Sequence, residues 1–171
     1  MAEDAAANAK LIDRFYGAFA RRDHETMAGC YAPDARFSDP VFQDLEGDEV
    51  RAMWRMLCER GVDLELSHSA VRTDGDRGSA HWEADYTFSG TGRPVHNEID
   101  ASFRFEQGLI AEHTDDFDLW RWARQALGPA GVLLGLAPPV RAKIRGQARE
   151  NLDEFMAKAV AAPGSDSAPA T

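Results

Sequence analysis

Four kinds of polar residue stand where apolar patterns do not call for them. Asp39 closes the alternation Ala35, Phe37, Asp39 in ARFSDP. His113 and Asp115 stand two apart in AEHTDDFD, and Tyr86 and Asn97 interrupt two otherwise apolar rows. A carboxyl in apolar surroundings gains proton affinity and becomes a workable acid or base near neutral pH. A histidine beside a carboxylate is pulled both ways, by desolvation and by its neighbour, which suits a proton shuttle. Asn97 and Tyr86 have the donors to orient a carbonyl or a water. The chemistry available to such a set is proton transfer next to a carbonyl, without a cofactor. Each residue also has a bland reading. Asp-Pro is an ordinary turn signal, a His–Asp pair can be structural, and a buried Asn commonly satisfies a backbone group.

Other chemistries find little support. HTD is too compact for a zinc triad and has no spaced third ligand, so no metal is expected. GTGRP is a hairpin turn with no helix after it to hold a phosphate. Cys30 and Cys58 fall on helical apolar patterns rather than in a CxxC, as reduced core residues of a cytoplasmic protein would. Trp54, Trp82, Trp120 and Trp122 read as core and tail packing. The formal charge of −10 over 171 residues disfavours nucleic acid and anionic membranes as partners. No basic-then-apolar leader and no apolar run long enough to span a bilayer is apparent.

The elements that must position these residues come from periodicity. Leu11, Ile12, Phe15, Tyr16 and Phe19 form a helical stripe. Asp23 is the expected N-cap of a short second helix carrying Met27, Cys30 and Tyr31, with Pro33 as its stop. A short strand follows over residues 35–39. Val50, Met53, Trp54, Leu57 and Cys58 mark a third amphipathic helix from about Asp48, with Gly61 at its C′ position. The period then changes to two. Four strands, starting near Val62, Ser79, Val95 and Leu109 and separated by DGDRG, SGTGRP and EQG, predict an antiparallel meander with one apolar and one polar face. Trp82, Ala84, Tyr86 and Phe88 share one face, and Asn97, Ile99, Ala101 and Phe103 share the corresponding face of the next strand. On the last strand alternation leaves two rows open, Ala111–His113–Asp115–Phe117 and Ile110–Glu112–Thr114–Asp116.

Helices first and strands afterwards predict an α+β fold, a curved antiparallel sheet covered by three N-terminal helices. Residues 1–118 form the expected domain. Residues 119–160 read as a C-terminal helical extension, two helices about a kinked Gly/Pro linker, with Val140, Ile144, Ala148, Leu152, Phe155, Met156 and Ala159 on one stripe. Residues 161–171 have a disordered composition.

Over residues 8–118 the chain resembles the nuclear transport factor 2-like superfamily, most closely its SnoaL-like and ketosteroid-isomerase-like branches. The resemblance is carried by LIDRFYGAFARRD, YAPDARFSDPVF, EVRAMWRML and YTFSGTGRPVHNEIDASFRFEQGLIAEHTDDFD. It implies a cone-shaped α+β fold with one deep apolar pocket for a small hydrophobic molecule, and a homodimer. It favours the row containing Phe117, which places His113 and Asp115 inside, and it sets Asp39 at the position of the general base. Phe15, Trp54, Trp82 and Ile99, with Tyr86, Asn97 and Phe117, are the expected substrate-binding residues. The chain departs from ketosteroid isomerases, which pair their Asp base with a Tyr and a protonated Asp as oxyanion donors. Those two positions fall on Phe15 and Ala101, with Tyr16 and Asp100 each one residue away, so steroid isomerisation is not expected. The Asp–Arg–Asp relay of the epoxide-hydrolase branch is also missing, because Arg104 belongs to the outward row.

Three functions remain open on this reading. One is a cofactor-free isomerase, cyclase or hydratase with Asp39 as base and His113–Asp115 as shuttle. The second is a carrier or sensor for an apolar ligand. The third is a dimeric scaffold whose C-terminal helices dock on a partner. The fold alone does not choose between them.

Overall fold

The computed structural model describes residues 2–129 and 137–161. Three helices, α1 (Ala2–Ala20), α2 (His24–Ala28) and α3 (Asp48–Arg60), combine with six strands: β1 (Tyr31–Ser38), β2 (Leu45–Glu46), β3 (Glu65–Asp74), β4 (Arg77–Phe88), β5 (Arg93–Glu106) and β6 (Leu109–Asp116). Two further helices, α4 (Leu119–Leu127) and α5 (Pro138–Ala161), follow the sheet. This is the α+β architecture that the order of patterns implies. Of the tail expected over residues 161–171, Ala161 ends α5; the rest of it and most of the Gly/Pro linker lie outside the described residues.

The strands form one curved, mixed sheet in the order β2-β1-β6-β5-β4-β3. The predicted meander is its β3–β6 part, antiparallel throughout. What periodicity did not supply is the pairing of β1 with β6, which is parallel, with Phe37 opposite His113. The short β2 then pairs antiparallel on the far side of β1. Along β5 every second residue from Val95 to Phe105 is buried, and along β6 Ala111, His113 and Asp115 are buried while Glu112, Thr114 and Asp116 are exposed. The inward row is thus the one containing His113.

Three local expectations are corrected. The second helix ends at Ala28 rather than at Pro33, and Tyr31 opens β1 instead of closing a helix. Pro33 sits where the β1–β6 register shifts, between Tyr31 and Arg36; a proline is tolerated there because a bulge asks for no ladder hydrogen bond. Arg51 of α3 donates to the carbonyls of Tyr31, Ala32 and Pro33, so the bulged backbone stays satisfied. Gly61 caps α3 at φ −82°, outside the left-handed region. Its glycine serves space instead, since a Cβ there would stand 3.0 Å from the Leu57 carbonyl oxygen. Finally, β3 begins at Glu65, and Val62 is left 73% exposed.

α1 lies over β3 and β4, and α3 packs against β1 and α5. The main core gathers Phe15, Tyr16, Phe37, Met53, Trp54 and Phe103 between helices and sheet. A second cluster, Val95, Leu119, Trp122, Ala123 and Ala126, joins α4 to the start of β5. Leu152 of α5 is fully buried and belongs to the main core. Arg149 adds a salt bridge to Glu49 of α3.

Candidate functional site

A cavity of about 570 Å³ opens between the sheet and the helices. Its walls are Trp82, Ala84 and Tyr86 of β4, Asn97 and Ile99 of β5, Asp115 and Phe117 at the end of β6, and Met53, Trp54, Met56 and Leu57 of α3. Trp122 of α4 and Val140, Ile144 and Ala148 of α5 close it on the remaining side. The strand rows supply the wall because alternation sends every second side chain to the concave face.

Asp39 lines this cavity just beyond β1. Its Oδ1 accepts hydrogen bonds from the backbone N–H of Val41 at 2.6 Å and of Phe42 at 2.5 Å. Its own N–H donates to the Phe42 carbonyl at 2.7 Å. The residue therefore is a turn-former and faces the cavity as well. Only one carboxyl oxygen is used by the turn. Burial lifts the Asp39 pKa from its ordinary 3.8 to about 7, against the two amide hydrogen bonds; Asp115 adds to the rise and Arg145 of α5 opposes it.

Asp115 is the second acid of the cavity, and it ends a buried hydrogen-bonded chain. The Trp54 indole Nε1–H donates to the Tyr31 hydroxyl at 2.9 Å, and that hydroxyl lies 2.6 Å from His113 Nδ1. His113 Nε2 lies 3.0 Å from Asp115 Oδ1, which also accepts from the Trp82 indole at 3.3 Å. An Nε2–H tautomer satisfies every member in one direction. Tyr31 donates to Nδ1, and Nε2–H donates to the carboxylate. His113 is 1% exposed and does not touch the cavity. Phe15, Phe37, Trp54 and Phe103 surround its ring. Of the expected pair, Asp115 alone lines the cavity, and His113 stands one layer behind it at 3.0 Å.

Trp54, Trp82, Tyr86, Asn97, Ile99 and Phe117 are all brought to the wall. Phe15 is not, because it is fully buried in the aromatic shell behind the cavity, edge-on to Tyr31 and Trp54. The Tyr86 hydroxyl accepts from the Trp122 indole at 2.8 Å, which leaves its own proton available to a ligand. The two oxyanion positions are unfilled, as the sequence implies. Phe15 and Ala101 are buried apolar residues, and Asp100 pairs outward with His81 at 2.8 Å. The Tyr16 hydroxyl is buried without a hydrogen-bond partner. Arg104 lies on the outer face with Glu106 and Glu112. Among the described residues no cluster of three His, Cys, Asp or Glu side chains could hold a metal ion. None of the described helices is long and apolar enough to cross a membrane.

Several participants escaped sequence reasoning. Tyr31, which fixes the outer nitrogen of His113, was assigned to a helix. Its signal was the odd-numbered row Ala35, Phe37, Asp39, which reaches back to Tyr31 once Pro33 is read as a bulge. Arg60, Lys143, Gln147 and Asn151 also line the cavity, and nothing in periodicity says that α5 covers it. Arg145 donates to the Pro40 carbonyl at 3.1 Å, tying α5 to the turn that carries Asp39.

The profile of the SnoaL-like domain matches residues 12–113. The structure resembles an NTF2-like protein of unknown function from Burkholderia pseudomallei K96243, at 25% identity and a TM-score of 0.63, covering 70% of this chain and 97% of that one. It also resembles TsrD from Streptomyces laurentii, at 26% identity and a TM-score of 0.62, covering 72% of this chain and 96% of that one. An LEH-like epoxide hydrolase from M. tuberculosis, 15% identical over 76% of this chain and 97% of that one with a TM-score of 0.60, shares the fold alone. No curated protein matches by sequence. The matched profile spans well over half of the chain, so the chain belongs to the SnoaL-like family within the nuclear transport factor 2-like superfamily.

Proposed function

We propose that the protein binds a small hydrophobic carbonyl compound and moves a proton beside the carbonyl, as an isomerase or cyclase without a cofactor. The observation that carries this reading is the presence of two carboxyls, Asp39 and Asp115, in one largely apolar cavity of about 570 Å³. Asp39, with its pKa near 7, is the base that takes the proton from the carbon and returns it elsewhere. Asp115 is held by His113 and Trp82 and orients the substrate or receives a hydroxyl proton. Tyr86 and Asn97 donate to the carbonyl oxygen as charge develops on it, which is the point where donors lower the barrier most. His113 positions Asp115 and does not touch the substrate.

The test is proton exchange. With a ketone ligand identified by mass spectrometry of co-purifying material, the wild type exchanges the acidic C–H for deuterium in D2O. Asp39→Asn is expected to retain affinity and lose exchange by 10²-fold or more, the scale on which general bases act. Equal exchange in Asp39→Asn would remove the base assignment and leave a carrier. The homodimer and the cytoplasmic location belong to this proposal as well. Sedimentation equilibrium tests the first, with a monomer as the refuting result. The two buried, unpaired thiols of Cys30 and Cys58 favour a reducing compartment.

A further inference from the structure

The charges that line the cavity are sorted by place. The two acids belong to the sheet side, Asp39 after β1 and Asp115 on β6. The two cations belong to the helices at the mouth, Arg60 at the C-terminal end of α3 and Lys143 in the first turns of α5. Both side chains are exposed at one end and line the cavity. Neither has a carboxylate partner among the described residues, which is equally true of Arg72, Arg77 and Arg141; what sets Arg60 and Lys143 apart is their place on the cavity wall.

α5 faces the cavity with two stripes. Val140, Ile144 and Ala148 continue the apolar wall. Lys143, Gln147 and Asn151, spaced i, i+4 and i+8, add a polar edge on one side of it. A ligand filling the hollow thus meets a largely apolar wall, two acids on the sheet side, and exposed cations with two amides on the helix side. A neutral ligand leaves the mouth cations in water at no gain. A second cationic group would be repelled there.

We infer that the ligand is a hydrophobic acid. Its aromatic or alicyclic body occupies the cavity, and a single carboxylate or comparable anion rests at the mouth between Arg60 and Lys143. This rests on the reading of the cavity as a pocket for a small hydrophobic molecule, and it names the substrate class of that pocket. Arg60 and Lys143 are specificity residues that act on binding and leave the proton transfer to the inner groups. Arg60 lies within the segment that matches the family profile and Lys143 of α5 outside it, so the chain's own extension supplies one of the two cations.

A matched pair of fluorescent probes tests it: 8-anilinonaphthalene-1-sulfonate and N-phenyl-1-naphthylamine, the same body with and without the anion. Titrations are run on the full chain, on the double variant Arg60→Gln/Lys143→Gln, and on two cavity-filling variants, Ala84→Phe and Ala148→Phe. The double variant is expected to bind the sulfonate about 5- to 10-fold more weakly, as two exposed charge contacts imply, with the neutral probe changed less than twofold. Raising salt should weaken sulfonate binding in the wild type and not in the variant. Equal effects on both probes, or none on either, overturn the inference while leaving the pocket intact. If neither probe binds the wild type, or if both cavity-filling variants bind as the wild type does, the pocket reading itself falls and takes this one with it.

Discussion

Asp39→Asn should make the protein more stable, and only above mildly acidic pH. The substitution keeps a side-chain oxygen to accept from Val41 and Phe42, so the turn is preserved while the titrating group is lost. Well below pH 3.8 the wild-type carboxyl is protonated in both the folded and the unfolded chain, and its ionisation costs nothing. As pH rises, the unfolded chain releases this proton near 3.8, whereas the folded chain holds it until about 7. The folded state binds more protons through that window, so stability falls with rising pH, by about 1.4 kcal/mol per pH unit. The full penalty is at most about 4 kcal/mol, reached at pH 7 and constant above it. Asparagine avoids it. Urea unfolding of both proteins from pH 4.5 to 8.5 should therefore show a small advantage for the variant at the acid end. The advantage should widen to neutrality and then level off. A difference independent of pH, or a variant less stable at pH 8, would refute the claim that Asp39 is buried against its own ionisation.

Arg145→Gln removes both the hydrogen bond to Pro40 and the charge that opposes the rise at Asp39; the midpoint of the Asp39 carboxyl titration, followed by carbon NMR, should move above 7. Tyr31→Phe strips His113 Nδ1 and the Trp54 indole of their shared partner, at a cost of about 1–3 kcal/mol in urea unfolding. Leu152→Ala leaves a hole under α5 where the side chain is fully buried and should cost about 2–5 kcal/mol, with faster probe release in stopped flow as the helix loosens. Gly78→Val forces a Cβ to within 2.8 Å of the Phe105 ring and 3.1 Å of Ile12, so calorimetry should record a lower melting temperature from about 1–3 kcal/mol of overpacking.

Legibility in the sequence followed the range of the interaction. The rows of β4, β5 and β6 were readable because alternation is a local consequence of the pleat, and Asn97 and Asp115 come to the cavity wall on those rows. The choice between the two rows of β6 needed the family resemblance, since both contain acids. Tyr31 was lost because Pro33 carries two meanings, a helix stop and a bulge, and local rules select the commoner one. Phe15 was placed on the wall by analogy of position, yet a helical stripe buries several ranks of side chains, and Phe15 belongs to the rank behind. The parallel β1–β6 pairing and the docking of α5 join residues about 80 and 100 positions apart in the sequence, as Tyr31 with His113 and Arg149 with Glu49 illustrate. No window of periodicity reaches that far. The apolar stripe of Val140, Ile144 and Ala148 is legible as a helix face, but nothing local says that this face and the neighbouring Lys143, Gln147 and Asn151 form a cavity wall.

The two readings of Asp39, turn signal and base, are both satisfied by its geometry, and their coexistence bears on the choice between enzyme and carrier. A turn needs only an oxygen that accepts two amide protons. Asn or Ser supplies that oxygen without a charge to desolvate. A carrier for apolar molecules likewise gains nothing from a carboxyl in its wall, since burying one costs stability and the cavity already offers Trp82, Ile99 and Phe117 for contact. Asp115 raises the cost further, because its charge disfavours ionisation of Asp39. Yet the fold provides for both: backbone amides for Asp39, and an indole with a buried imidazole for Asp115. An arrangement that lowers stability in the free protein and is nevertheless held by four separate donors supports the proposed proton transfer over simple retention of a ligand.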